Sequence, residues 1–296
     1  MLTLLAPVLL GLVAAGMFSA EGTRHLNRYA ASVAFPALIV VGLADPSVAL
    51  PSQPVAWLLV PASLVAAVLP LRALGVPRAG SLALVTVLGN TAYLGIPVAE
   101  VVLDPAAMGA VHVAVSQHLF LGLLIGPWLL LRWGEGSNGA AEAFARVARH
   151  PLFWAPWVGM VVRVMPGGPV LREALSPIGG TAAPVALFLV GVELVHRRAE
   201  LWRVDSDGLL HLGAKLLWLP LLTTALVVAA RRVGWVDADM AQALVLLSAM
   251  PPAVTTYALA VDLRTGESAV AQALVVGTVL SGLTLPLVVW GLPLLP

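Results

Sequence analysis

Long apolar stretches, too numerous and too closely spaced to be buried in one water-soluble core, decide what this chain can become. Ten of them follow from hydropathy: 2–20, 29–44, 54–74, 79–103, 107–132, 151–165, 175–196, 208–230, 238–261 and 269–292. A bilayer core takes roughly 20 apolar residues to cross. The 296 residues therefore leave room for about ten spans and short loops, and for no separate soluble domain. Composition agrees: 60% of residues are hydrophobic and 10% charged, against about a quarter charged in soluble globular chains. The stretches are separated by Asp45-Pro46-Ser47, Asp104-Pro105 and Pro166-Gly167-Gly168-Pro169, where proline lacks a donor and glycine tolerates backbone angles that end a helix. The first stretch has no Lys or Arg ahead of it and exceeds the ~7–15 residue core of a secretory signal, so it reads as a span.

Several function classes drop out. A net charge of +1 offers no basic stripe for nucleic acid. The chain has no cysteine, hence no thiolate chemistry or Cys-ligated metal. It carries no His-Glu-x-x-His, no Gly-x-Ser-x-Gly and no nucleotide-binding loop. An enzyme, a metal or cofactor site and ATP-driven transport by this chain alone are not expected.

Basic residues set the orientation, because Lys and Arg are retained on the cytoplasmic side. The odd-numbered loops hold eleven arginines, and the even-numbered loops hold only Arg163, Arg172, Arg231 and Arg232. That bias places both termini outside a plasma membrane. Lys215 falls within the eighth stretch near its cytoplasmic end, where a long stem can snorkel to the headgroups.

Internal symmetry comes next. Leu58-Leu59-Val60-Pro61 with Arg72 matches Leu217-Trp218-Leu219-Pro220 with Arg231, and Pro127 matches Pro286, all at an offset of 159. Ala34-Phe35-Pro36 resembles Ala182-Ala183-Pro184 after a one-residue adjustment. Five spans per half would invert the second copy relative to the first, giving repeats over 1–133 and 151–296 joined by a linker at 134–150. The alternative is that prolines and leucines recur in any hydrophobic chain.

The most informative segment is Leu88-Gly89-Asn90-Thr91-Ala92-Tyr93-Leu94-Gly95-Ile96-Pro97 in the fourth stretch. It puts a helix breaker, an amide, a hydroxyl and a phenol in mid-span. Its mate in the ninth stretch is Ala249-Met250-Pro251-Pro252-Ala253-Val254-Thr255-Thr256-Tyr257, where two adjacent prolines force a break. Lipid cannot satisfy the freed backbone groups, so such breaks survive only against protein or a wet cavity. Two interrupted helices meeting there would aim half-helix N-termini at a common point able to hold a carboxylate. Taken singly, the prolines could be a plain kink and Asn90 an interhelical bond.

Asn90-Thr91-Ala92-Tyr93-Leu94-Gly95-Ile96-Pro97 resembles the Gly-Asn-Thr-Gly-Phe-Leu-Gly-Ile-Pro signature of the auxin efflux carrier family, which includes plant PIN exporters and bacterial permeases labelled as malate or malonate carriers. Phe35-Pro36-Ala37-Leu38, Pro184-Val185-Ala186-Leu187, Ala249-Met250-Pro251 and Leu280-Ser281-Gly282-Leu283-Thr284-Leu285-Pro286 extend the resemblance along nearly the whole chain. It implies an all-α membrane protein of ten helices as a 5+5 inverted repeat, with broken, crossing helices 4 and 9. It further implies a homodimer through a scaffold of spans 1, 2, 6 and 7, with the other six spans moving in an elevator manner. By the same resemblance Asn90 touches substrate beside the crossover, and Gln117 lines that pocket. The chain departs from the pattern at Ala92, where glycine is usual, at Gly277, where bacterial relatives often have serine, and in its short loop 134–150, which makes auxin a poor substrate guess.

The expected binding set is thus Asn90, Thr91, Tyr93, Gln117, Pro251, Pro252, Ala253, Val254 and Thr255, with the crossover at Gly89, Asn90, Pro251 and Pro252. Ionised groups are costly in hydrocarbon, so His118, Glu100 and Glu193 are candidates for proton or ion coupling. Each has a plain alternative. His118 can be a neutral ring bonded between helices, Glu100 can end a span at the interface, and Glu193 has Arg197 four residues on, an ordinary helix-surface spacing. The expected function is a secondary carrier of a small organic anion. A sodium-coupled carrier resembling the bile-acid symporters is the alternative, and a channel or membrane receptor a third reading.

Overall fold

Proline at three places decides how the helices run. Pro36, Pro97 and Pro220 each follow a five-residue π-helical turn, at Ala30–Ala34, Thr91–Gly95 and Ala214–Trp218. A proline ring crowds the carbonyl four residues before it and supplies no N–H. Widening the preceding turn by one residue relieves both problems. The backbone N–H groups of Phe35, Ile96 and Leu219 accordingly donate five residues back, to the carbonyls of Ala30, Thr91 and Ala214.

The computed structural model describes residues 2–46, 50, 56–73, 79–133, 145, 148–199, 205–253, 256, 257, 260 and 266–295, and among them there is no strand. The α-helices are α1 (Leu2–Ala14), α2 (Ala20–Tyr29), α3 (Phe35–Ala44), α4 (Ala56–Ala73), α5 (Ala79–Val87), α6 (Ile96–Val102) and α7 (Met108–Trp133). They continue as α8 (Pro151–Val164), α9 (Gly168–Gly180), α10 (Ala182–His196), α11 (Ser206–Gly213), α12 (Leu219–Arg232), α13 (Ala238–Ser248) and α14 (Glu267–Gly291). Among the described residues four continuous helical stretches, Ala20–Ala44, Gly168–His196, Ser206–Arg232 and Glu267–Leu294, are long and apolar enough to cross a bilayer. The outer surface exposes Leu10, Val13, Trp154, Trp157, Leu283, Leu287 and Trp290, while Asn90, Thr91, His118 and Lys215 are buried. That reversal of the soluble pattern marks a multi-pass membrane protein.

Two helix starts differ from the hydropathy reading. The second stretch begins at Ala20 rather than 29, because the Ser19 hydroxyl caps the helix by accepting from Gly22 N at 3.1 Å. Glu21, Arg24, Asn27 and Arg28 make those first turns too polar for a hydropathy window. The seventh begins at Gly168, where Gly167 turns the chain with φ at 82°. The expected linker 134–150 lies largely outside the described residues.

Glycine sets the closest helix approaches. A Cβ on Gly11 of α1 would sit 2.1 Å from the Phe188 carbonyl oxygen of α10, and one on Gly191 of α10 would sit 2.2 Å from the Val8 oxygen of α1. α3 lies against α8 and α9: a Cβ on Gly159 would be 3.2 Å from Val40 Cα, and one on Gly179 would be 3.0 Å from Leu38 N. Small residues let backbones meet where lipid supplies no hydrophobic drive. The long α7 packs on α5, α13, α4 and α3, so it runs between the groups of helices that hold the two breaks and the glycine-packed pairs.

Lys215 corrects an expectation. Its side chain is fully buried and does not snorkel, because the π-turn directs it inward against the carbonyls of Thr86 and Ser248. Glu193, the acidic group of α10, pairs with Arg197 at 2.8 Å.

Candidate functional site

The site grows from two places where helices cannot continue. α5 stops at Val87, and Leu88-Gly89-Asn90 leaves the helix before the π-turn at Thr91 restarts it. α13 stops at Ser248, where Pro251 and Pro252 remove two donors in succession. The two interruptions lie side by side as an antiparallel bridge between Gly89 and Pro252. Asn90 N donates to Pro251 O at 2.7 Å, Ala253 N donates to Leu88 O at 3.0 Å, and Thr256 Oγ1 donates to the same oxygen at 3.2 Å. Backbone groups freed by one break are thus satisfied by the other, the condition under which irregular backbone is tolerated at membrane depth. A Cβ on Gly89 would lie 2.8 Å from Lys215 Nζ, so a side chain there would push the lysine end aside.

Around this crossing the expected residues divide. Asn90 is buried and lines two small cavities. One, of about 30 Å³, includes Asn27, Tyr93, Leu119 and Ala253. The other, of about 20 Å³, includes Glu193, Arg197 and Thr278. Gln117 faces neither. It lines a larger cavity of about 300 Å³ with Leu43, Pro61, Ser116, Phe120, Trp157 and Met160. The helix explains the split: Leu119 points toward Asn90, and at ~100° per residue Gln117, two positions earlier, points the opposite way. Asn90 and Gln117 therefore do not share one cavity in this conformation.

Two of the expected residues have buried side-chain atoms with unused hydrogen-bonding capacity. The side-chain oxygen and nitrogen of Gln117, and Thr91 Oγ1, are buried with no hydrogen-bond partner. Unmade bonds of this kind are costly; His112 Nε2, Thr223 Oγ1 and Thr284 Oγ1, away from the crossing residues, are in the same condition. Tyr93 is committed elsewhere: its hydroxyl donates to Asn27 Oδ1 at 3.1 Å and its ring stacks on Phe35 at 4.2 Å. It braces the crossing against α2 and α3 rather than offering a free phenol. Pro251 and Pro252 are buried at the crossing and Ala253 is half-buried, whereas Val254 and Thr255 lie outside the described residues.

The coupling candidates take modest places. His118 is buried, and its Nδ1–H donates to Ala114 O at 2.9 Å within its own helix. Glu100 is exposed on α6. Glu193 is held by Arg197, whose guanidinium also covers the Tyr257 ring at 4.0 Å. Among the described residues no group of three or more His, Cys, Asp or Glu could hold a metal.

Sequence reasoning misses three contributors. Asn27 lay outside the hydropathy window that opened at 29. Arg197 has the spacing of an ordinary helix-surface partner for Glu193, yet it lines a cavity with Asn90. Lys215 is the residue for which a signal existed, since a charge within a span is a functional candidate by default.

Against known families, the model of the family described as membrane transport protein matches residues 140–289. No curated protein matches the chain.

Proposed function

Because the chain belongs to the membrane transport protein family, the auxin efflux carrier family, and is therefore a membrane transporter, we propose that it is a secondary carrier of a small organic anion, a mono- or dicarboxylate. One observation carries this reading: two interrupted helices cross and satisfy each other's backbone at Leu88–Asn90 and Pro251–Ala253. Half-helices starting at such a crossing present N–H groups and a positive dipole end to an anion. Asn90, Thr91 and the backbone from Pro251 onward form the binding set at the crossing, and Gln117 serves from the separate apolar cavity on the other face of α7, which the transport motion would have to bring to the same ligand. The open hydrogen-bonding capacity of Thr91 and Gln117 supports it. The apolar cavity beside Gln117 suits the organic body of the ligand in size and lining.

In this reading ten helices form a 5+5 inverted repeat. Residues 1–44 and 151–196 make a homodimerising scaffold held by the glycine contacts of α1 with α10 and of α3 with α8 and α9. The remaining helices carry the crossing and slide against that scaffold, and the cavity between α3, α8, α4 and α7 lies along the sliding surface. The carrier resides in the plasma membrane with both termini outside.

The test is a thermal-shift screen of small carboxylates on purified protein, since a ligand of the folded state alone raises its stability. The reading requires a carboxylate that stabilises the wild type and loses at least tenfold in affinity for an Asn90→Ala, Gln117→Ala variant. Equal binding by both proteins would remove the site. Conductance well above carrier turnover in single-channel recordings would replace the carrier with a channel.

A further inference from the structure

The crossing joins two helix ends of the same sign. α5 ends at Val87 and α13 at Ser248. The last four carbonyls of a helix have no intrahelical partner, and a helix C-terminus carries about half a negative charge. Thr86 O and Ser248 O belong to these last turns, and both accept from Lys215 Nζ at 3.4 Å. Lys215 is 0% exposed and reaches this point from a third element, the π-turn Ala214–Trp218. No carboxylate pairs with it among the described residues. An ammonium has three donors and accepts nothing, so its partners here are the helix ends themselves.

Half-helix C-termini in transporters otherwise supply carbonyl oxygens to a coupling cation. We propose that the Lys215 ammonium is a tethered cation built into the crossing, occupying the place where a free alkali ion would balance the two converging helix ends, so that this carrier's crossing needs no sodium. Lys215 is a positioning residue: it fixes the two breaks from their C-terminal side and leaves the opposite side, at Asn90, to the anion. Gly89 fits the same picture, because any side chain there would displace the Nζ atom. The proposal rests on the crossing described above but not on which anion is carried.

The experiment measures the melting temperature of the purified full chain without substrate, in choline, sodium or methylammonium chloride at one ionic strength. Wild-type protein should melt at the same temperature in choline and in sodium. Lys215→Ala should melt lower in choline and recover at least half of that loss in sodium or methylammonium, because the truncation opens room for a free cation. Lys215→Met, which fills the space without a charge, should melt lower and show no recovery. A methionine variant as stable as the wild type, an alanine variant indifferent to the cation, or a wild type stabilised by sodium would each overturn the proposal. If neither variant folds, a wild type stabilised by sodium still overturns the proposal. Because no carboxylate is present, failure here is distinct from failure of the proposed anion site.

Discussion

Glycine 191 offers a clean test of how the helices are held, since the same substitution should act in opposite directions at two positions. In Gly191→Ala the new Cβ would lie 2.2 Å from Val8 O and 2.8 Å from Leu12 N, both backbone atoms of α1. Carbon needs roughly 3.5 Å from a non-bonded neighbour, so α1 and α10 must part by about 1 Å, and a gap of that size forfeits up to half of the dispersion energy of each contact it opens. Overpacking of this kind costs about 1–3 kcal/mol, against a gain of about 1 kcal/mol from replacing glycine within a helix. The net is a loss of about 1 kcal/mol and at most about 2, which lowers the melting temperature by roughly 2–4 °C and at most about 8 °C in a chain of this size class. In Gly282→Ala nothing lies within 4 Å of the new Cβ, so only the helix-propensity gain remains and the protein should melt at or above the wild type. Both are read by thermal unfolding in one detergent. A Gly191→Ala protein as stable as Gly282→Ala would refute the close backbone contact of α1 with α10.

Further outcomes follow from single contacts. Tyr93→Phe removes the hydroxyl bond to Asn27 Oδ1 and keeps the stack on Phe35, so unfolding should show a loss of about 1 kcal/mol; carboxylate affinity should change less than it does in Asn90→Ala, and an equal or larger loss of affinity would return the phenol to the binding set. Thr256→Val removes one of the two bonds to Leu88 O while Ala253 N retains the other, and should cost about 0.5–1.5 kcal/mol in the same unfolding measurement. His150 caps α8 by accepting from Leu152 N at 3.2 Å, and burial holds its imidazole below the ordinary histidine range. A depressed value in the folded state means that this contribution is complete above the ordinary range and is lost as pH falls through the lowered one. The difference in stability between wild type and His150→Ala, about 1 kcal/mol at neutral pH, should therefore shrink on acidification. A difference independent of pH would show that the ring nitrogen is not the cap.

How much of this was legible in the sequence follows from what each residue must satisfy. Pro251 and Pro252 cannot continue a helix wherever they stand, and a break in an apolar stretch needs another polar backbone nearby. The pairing with Leu88–Asn90 was therefore readable without coordinates. Glu193 and Arg197 at helical spacing were readable for the same local reason. The direction of Lys215 was not, because it depends on a π-turn whose cause, Pro220, lies five residues further on. The separation of Gln117 from Asn90 was hidden as well: both are polar and mid-span, and only the rotation of α7 about its axis assigns them to different cavities. Asn27 escaped because hydropathy averages over a window, and its helix begins with charged residues outside the apolar stretch.

Because the chain contains no cysteine, disulfide trapping can be read on a silent background, and it addresses the crossing of the two breaks most directly. Leu88 and Ala253 face each other across the Gly89–Pro252 bridge, joined by the bond from Ala253 N to Leu88 O at 3.0 Å. A Leu88→Cys, Ala253→Cys protein, oxidised in native membranes and analysed as peptides, should form an intramolecular disulfide rapidly, while Leu88→Cys with Gly282→Cys should not. Cross-linking of the first pair no faster than that of the second would contradict the crossing, and with it the anion site built upon it.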